Sequence, residues 1–316
     1  MAFIEWLHRG RLPRELVGGK AASLSEMLSA GFAVPLGYAV NADGYRCFEE
    51  AAGIEAAAEG AAGLDPKDLA AVRAFSEKVT TAVMSADLPD ELREQVAAAY
   101  DELVSMSGVA SAVRSSAVSE DGAGASFAGL YESYLNVLGV NGVLDSLKRC
   151  YASLWSERAI RYRALKGMPI GGEAMAVVVM GLVPSEKSGI AFTAHPVTGD
   201  RDRVVINASY GLGEAIVSGR VTPDAFVVHK ESLGLLEREI YEKCLAIFPH
   251  PDGGGTIERE LEPGRANAPS ISDEEAKAVA RIALQVEEHF GSPQDVEWGM
   301  AAGQIYLLQS RPITTL

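Results

Sequence analysis

The stretch Asp295-Val-Glu-Trp-Gly-Met-Ala-Ala-Gly-Gln-Ile-Tyr-Leu-Leu-Gln-Ser-Arg311 decides the fold. It reads as a hairpin with strands Asp295–Met300 and Ile305–Arg311. Side chains alternate faces along a strand, so Glu297 and Gly299 point one way while Val296, Trp298 and Met300 point the other. Gln309 and Arg311 also share a face. With a three-residue turn, Ala302-Gly303-Gln304, Glu297 falls opposite Gln309 and Asp295 opposite Arg311. That register gathers a carboxylate, an amide oxygen and a guanidinium on one surface, and a slip of one residue separates them. Magnesium takes one or two hard oxygen ligands from protein and the rest from phosphates and water. Glu297 and Gln309 can supply those two, and Arg311 can meet a phosphate. The same polar face also suits plain exposure to solvent.

Working outward, Ser272 and Glu275 form a capping box. The helix they start carries Ala276, Val279, Ala283, Val286 and Phe290 and ends at Gly291. Ala176–Met180, Val204–Ala208 and Phe226–His229 read as strands. Leu88–Met106 and Val143–Leu165 read as helices, and Gly18-Gly19-Lys20 opens another with Ala21, Leu24 and Leu28 on one side. Residues 115–129 and 250–270 have loop compositions. The subdomain boundary is expected near residues 183–190. The resulting division is 1–186 and 187–316, in an α+β chain.

Other signals sit on these elements. Lys20 lies at a helix start, where the helix dipole disfavours a cation unless an anion is bound by the free N–H groups. An exposed lysine after a flexible turn fits equally well. Arg114 precedes the glycine-rich loop, placed for a phosphate or for pairing with Glu120 or Asp121. Gly211-Leu-Gly213-Glu214 follows a strand but has Ile216 where a dinucleotide fingerprint needs its third glycine. No GxxxxGK[ST] occurs. His195 reads as a loop histidine, and no two of the five histidines have metal-ligand spacing.

Composition bounds the function. The chain has 316 residues, 48% hydrophobic and 22% charged, with a formal net charge of −15. Such acidity disfavours nucleic acid and anionic membrane surfaces. Cys47, Cys150 and Cys244 form no CxxC pair, so neither a disulfide framework nor a zinc site is expected, and a reducing cytoplasm fits best. The first residues do not read as a signal peptide. No apolar stretch is long enough to span a bilayer.

The motifs gain meaning from their order: Val17-Gly-Gly-Lys-Ala-Ala-Ser-Leu24, Val113-Arg-Ser-Ser116, Ser126-Phe-Ala-Gly129, Ala208-Ser-Tyr-Gly-Leu-Gly-Glu214, then Asp295-Val-Glu-Trp-Gly299 followed by Gln309-Ser-Arg-Pro312. This series resembles the N-terminal nucleotide-binding domain of the phosphoenolpyruvate synthase, pyruvate phosphate dikinase and rifampicin phosphotransferase family. The resemblance implies an ATP-grasp fold with ATP held between two α+β lobes. It implies that Lys20 and Arg114 bind phosphates and that the loop 120–129, with Ser126 and Gly129, closes over the triphosphate. It implies that Glu297 and Gln309 hold Mg2+, that Arg311 meets a phosphate and that Glu214 sits near the nucleoside.

The chemistry implied is a dikinase reaction. A histidine on a separate domain or subunit attacks the β-phosphorus, AMP leaves, phosphate is lost, and the remaining phosphoryl passes to a small-molecule acceptor. No segment resembles the family's histidine motif. A subunit of a two-component aryl-phosphate synthase, a piece of a phosphoenolpyruvate synthase or rifampicin phosphotransferase, and a non-catalytic ATP-sensing module all remain open. Met180-Gly181 stands where the family usually has glutamine, and Ala194-His195-Pro196 where it has Ala-Asp-Pro. Both departures bear on nucleoside contacts more than on phosphate contacts.

Overall fold

The computed structural model describes residues 1–118 and 132–314, apart from the Ala62 side chain. The chain is α+β and forms two compact units. One comprises Met1–Ser29 and Leu36–Leu182, the other Ala30–Pro35 and Val183–Leu316. The short excursion 30–35 belongs to the second unit, where the Ala33 carbonyl accepts the Leu307 N–H.

The first unit is built on strands β1 (Ile4–Trp6), β2 (Gly37–Val40), β3 (Ala110–Ala117), β4 (Ser133–Leu138) and β5 (Met175–Gly181), in the order β1-β2-β5-β3-β4. All the pairings are antiparallel. β5 is buried along its whole length, as a continuous apolar run in a covered central strand should be. Tyr38, Val40, Val113, Val177 and Val179 pack with Leu92, Val96 and Leu103 of the helix Asp90–Ser107 and with Val143, Leu147 and Tyr151 of the helix Gly139–Ser153. The single helix expected over Val143–Leu165 is two. Gly139–Ser153 ends and Glu157–Leu165 restarts, because the Ser156 side chain caps the Ala159 N–H.

The second unit carries β6 (Lys187–Phe192), β7 (Arg203–Tyr210), β8 (Asp224–His229), β9 (Leu235–Glu239), β10 (Leu245–Pro249), β11 (Thr256–Glu260), β12 (Gln294–Ala301) and β13 (Gln304–Pro312). Six of them form an antiparallel sheet in the order β13-β12-β6-β7-β8-β9. The helix Asp273–Phe290 covers one face, against Val204, Ile206, Ala208, Phe226, Val228 and Trp298, all buried. Its capping box forms as expected, with the Glu275 N–H on Ser272 Oγ at 3.2 Å and the Ser272 N–H on Glu275 Oε2 at 2.7 Å. Lys187 of β6 holds Glu275 at 2.7 Å, and Lys230 after β8 holds Glu287. Burial pushes the Glu275 carboxyl up, but Lys187 and the Ser272 N–H more than reverse this and leave it below the usual range. Residues 250–270, expected as a loop, contain β11, which pairs with β10.

A buried ion pair fixes the segment after β9. Asp224 and Lys243 are both 0% exposed and meet at 2.5 Å. Asp224 also accepts the Tyr241 N–H and, through its second oxygen, the N–H and hydroxyl of Ser270. Lys243 donates its other bond to the Tyr241 carbonyl. Among the described residues no helix is long and apolar enough to cross a membrane.

Candidate functional site

In the first unit, a missing side chain joins two motifs. The helix Arg14–Ser29 breaks at Gly18, which has φ 74° and ψ 172°. A Cβ there would lie 2.0 Å from the Ser116 carbonyl oxygen and 2.5 Å from Ser116 Oγ. Ser116 Oγ donates to the Val17 carbonyl at 2.8 Å and accepts the Ala21 N–H at 3.2 Å. Ser116 therefore caps the helical segment that restarts at Gly19, on which Lys20 stands.

Arg114 lies two residues before Ser116 on β3, hence on the same face, and is half-buried like Lys20. One contact thus joins the segments that carry Lys20 and Arg114. It also corrects the expectation that residues 115–117 are loop, since β3 runs to Ala117. Gly18→Ala should cost about 3 kcal/mol from positive φ and overlap with backbone. The urea midpoint of unfolding measures it. Ser126, Gly129 and the rest of the loop 120–129 lie outside the described residues.

In the second unit, Glu297 pairs with Gln309 and Asp295 with Arg311. The register is the expected one, but the turn that makes it is not. The turn has two residues, Ala302 at φ 49° and Gly303 at φ 75°, so Ala301 pairs with Gln304. Positive φ at both central residues is the hairpin-type turn that matches strand twist. By itself it would place Glu297 opposite Leu308. A bulge in β13 between the Glu297–Gln309 and Trp298–Leu307 pairs adds one residue and returns Gln309 to Glu297.

Arg311 is clasped side-on. Its Nε and Nη2 both donate to Asp295 Oδ2, at 2.8 and 2.7 Å. The strand end is pinned by Gln294, whose N–H meets Thr193 Oγ1 and whose side-chain oxygen accepts Ser310 Oγ–H, both at 2.8 Å. The guanidinium is therefore held by Asp295, which the sequence already set opposite Arg311, and its strand by Gln294, a part that sequence reading did not assign.

These side chains project from the sheet face opposite the helix Asp273–Phe290. The pairings define one row across that face: Gln309, Glu297, Ile190, Asn207, Ala225 and Glu239. No group of three or more His, Cys, Asp or Glu among the described residues is arranged to hold a metal. A carboxylate beside an amide oxygen still fits magnesium, which takes its remaining ligands from phosphate and water.

Glu214 begins the short helix Glu214–Val217 and is exposed. Thr256 Oγ1 donates to its Oε2 at 2.9 Å. Gly211 has φ 75°, and a Cβ there would lie 2.2 Å from the Ile247 carbonyl oxygen. The glycine thus serves close packing on β10. The His195 Nδ1 accepts the N–H groups of Val197 and Thr198, both at 3.2 Å, and shapes the turn after β6.

Residues 14–316 match the family described as pyruvate phosphate dikinase, AMP/ATP-binding domain. The chain is 40% identical over 321 residues to a probable phosphoenolpyruvate synthase of Methanocaldococcus jannaschii, covering 100% of this chain and 27% of that protein. It is 39% identical over 360 residues to the phosphoenolpyruvate synthase of Pyrococcus furiosus, covering 99% and 44%. It is 42% identical over 304 residues to a probable phosphoenolpyruvate synthase of Archaeoglobus fulgidus, covering 95% and 40%. The chain spans less than half the length of these relatives. The ordered motifs and this match over almost the whole sequence agree: the chain belongs to the AMP/ATP-binding domain family of pyruvate phosphate dikinase.

Proposed function

We propose that this chain binds ATP with Mg2+ and presents the β- and γ-phosphates to a histidine on another domain or subunit, whose nitrogen bonds the β-phosphorus as AMP leaves; water then releases the γ-phosphate as phosphate and leaves phosphohistidine. The two units would then be the lobes of an ATP-grasp fold. The observation that carries the reading is the β12–β13 register, which sets Glu297 against Gln309 beside an Arg311 already oriented by Asp295. Glu297 and Gln309 would hold the metal, which supplies charge neutralisation on the phosphate oxygens. Arg311, Lys20 and Arg114 would bind phosphates. Glu214, Ser126 and Gly129 would complete the nucleotide contacts. What the protein contributes to such a transfer is positioning and electrostatic stabilisation.

The acceptor follows from the partner. A small molecule such as a phenol fits a two-component enzyme. Pyruvate fits a domain of a phosphoenolpyruvate synthase, a reading favoured by the names of the relatives. Mixing the chain with histidine-domain proteins and ATP tests the proposal. AMP with a phosphorylated partner histidine is the expected outcome, and ADP as the sole nucleotide product contradicts it. Pyruvate, phenol and rifamycin added to the same mixture then distinguish the acceptors.

A further inference from the structure

Strand β7 carries two polar side chains that the reading above leaves without a task. Asn207 occupies the same sheet row as Gln309 and Glu297, with Ile190 between. Residues directly opposite in a ladder share a face, so the Asn207 amide rises from the face that bears the acid and the amide of the hairpin. It is half-buried and makes no side-chain hydrogen bond among the described residues. Two residues on, and therefore on the same face, Ser209 is 0% exposed, and its hydroxyl has no partner among the described residues. Its cross-strand neighbour Ser188 is already committed, donating to the Gly211 carbonyl at 2.7 Å. A fully buried polar group such as the Ser209 hydroxyl ordinarily has a partner. Two on one strand, beside a metal-competent pair, mark a place where a ligand completes the bonding.

Resting on the ATP reading, we infer that Asn207 is the residue of this sheet that recognises the ribose hydroxyls. Asn207 lies two strand spacings from Glu297, about 10 Å between backbones, too far to share the metal's first ligands. That separation matches the run of a nucleotide from its metal-bound phosphates to its sugar. An amide offers a donor and an acceptor together, as a hydroxyl does, whereas a phosphate oxygen only accepts and would leave the amide oxygen unused. The intervening Ile190 keeps the two polar positions apart.

Calorimetric titration of the chain with ATP, 2′-deoxy-ATP and 3′-deoxy-ATP at saturating Mg2+ tests this. The wild type should bind ATP about five- to tenfold more tightly than at least one deoxy analogue, the worth of one neutral hydrogen bond. Asn207→Ala should reduce ATP binding to the level of that analogue and leave the analogue's own affinity and the Mg2+ dependence unchanged. Asn207→Val, a strand-favouring replacement with neither donor nor acceptor in its side chain, should do the same if the alanine variant folds poorly. Wild type that ignores the sugar hydroxyls overturns the assignment. So does a variant that still discriminates, or one whose main change is in Mg2+ dependence. Glu297→Ala in parallel separates the two claims. If it loses Mg2+-dependent binding while Asn207→Ala keeps sugar discrimination, only the Asn207 assignment falls. If Glu297→Ala binds ATP·Mg2+ like wild type, the reading beneath it has failed.

Discussion

Glu297→Ala should remove Mg2+-dependent ATP binding and slow transfer to a partner histidine about a hundred- to a thousandfold, the usual cost of losing one preorganised charge contact to the transferring group. The loss should be local. Glu297 is half-buried on the sheet face opposite the helix Asp273–Phe290 and is not part of the packing of Val296 and Trp298. The ladder hydrogen bonds of β12 are backbone bonds and do not need its side chain. Circular dichroism and the thermal midpoint should therefore match wild type while calorimetry shows ATP binding that no longer responds to magnesium. A variant that unfolds, or one that keeps magnesium-dependent binding, contradicts the role given to this carboxylate.

Asp224→Ala should be the most destabilising single substitution away from the site. It strands the Lys243 ammonium at 0% exposure with no anion, leaving it the Tyr241 carbonyl and the face of the Tyr210 ring. It also orphans the Tyr241 N–H and both donors of Ser270. Removing one partner of a buried pair typically costs about 3–5 kcal/mol, because the remaining charge stays desolvated. For a unit of this size that is a fall of roughly 10 °C in melting temperature, readable by calorimetry. A loss under about 1 kcal/mol would mean that Lys243 reaches solvent in the variant, and that the pair does not fix the segment after β9.

This pair also shows why part of the fold was not legible. Asp224, Lys243 and Ser270 are far apart in a chain with many charges, and nothing local marks them as mutual partners. The Gly18–Ser116 contact is the same kind of case. Each motif announced itself, but only folding reveals that the glycine exists to admit the serine.

Local signals were readable where the chemistry is local. The Ser272–Glu275 capping box formed as written in the sequence. The hairpin register was read correctly through two compensating errors, a turn one residue shorter than expected and a bulge that restored the count. A bulge has no dependable sequence mark, so the pattern of polar and apolar faces carried the result. The break at Ser156 carried a capping signal that the long apolar periodicity of residues 143–165 concealed. In the segment 250–270, the strand Thr256–Glu260 is polar and mostly exposed, with no alternation to set it apart from the proline- and glycine-rich residues around it.

The most direct measurement is a crystal structure of the chain soaked with Mg2+ and a non-hydrolysable ATP analogue. The account predicts a metal at about 2.0–2.1 Å from a Glu297 carboxylate oxygen and the Gln309 amide oxygen, with phosphate oxygens completing its shell and the Arg311 guanidinium on a phosphate. A nucleotide bound elsewhere, or a metal that ignores both side chains, would contradict it.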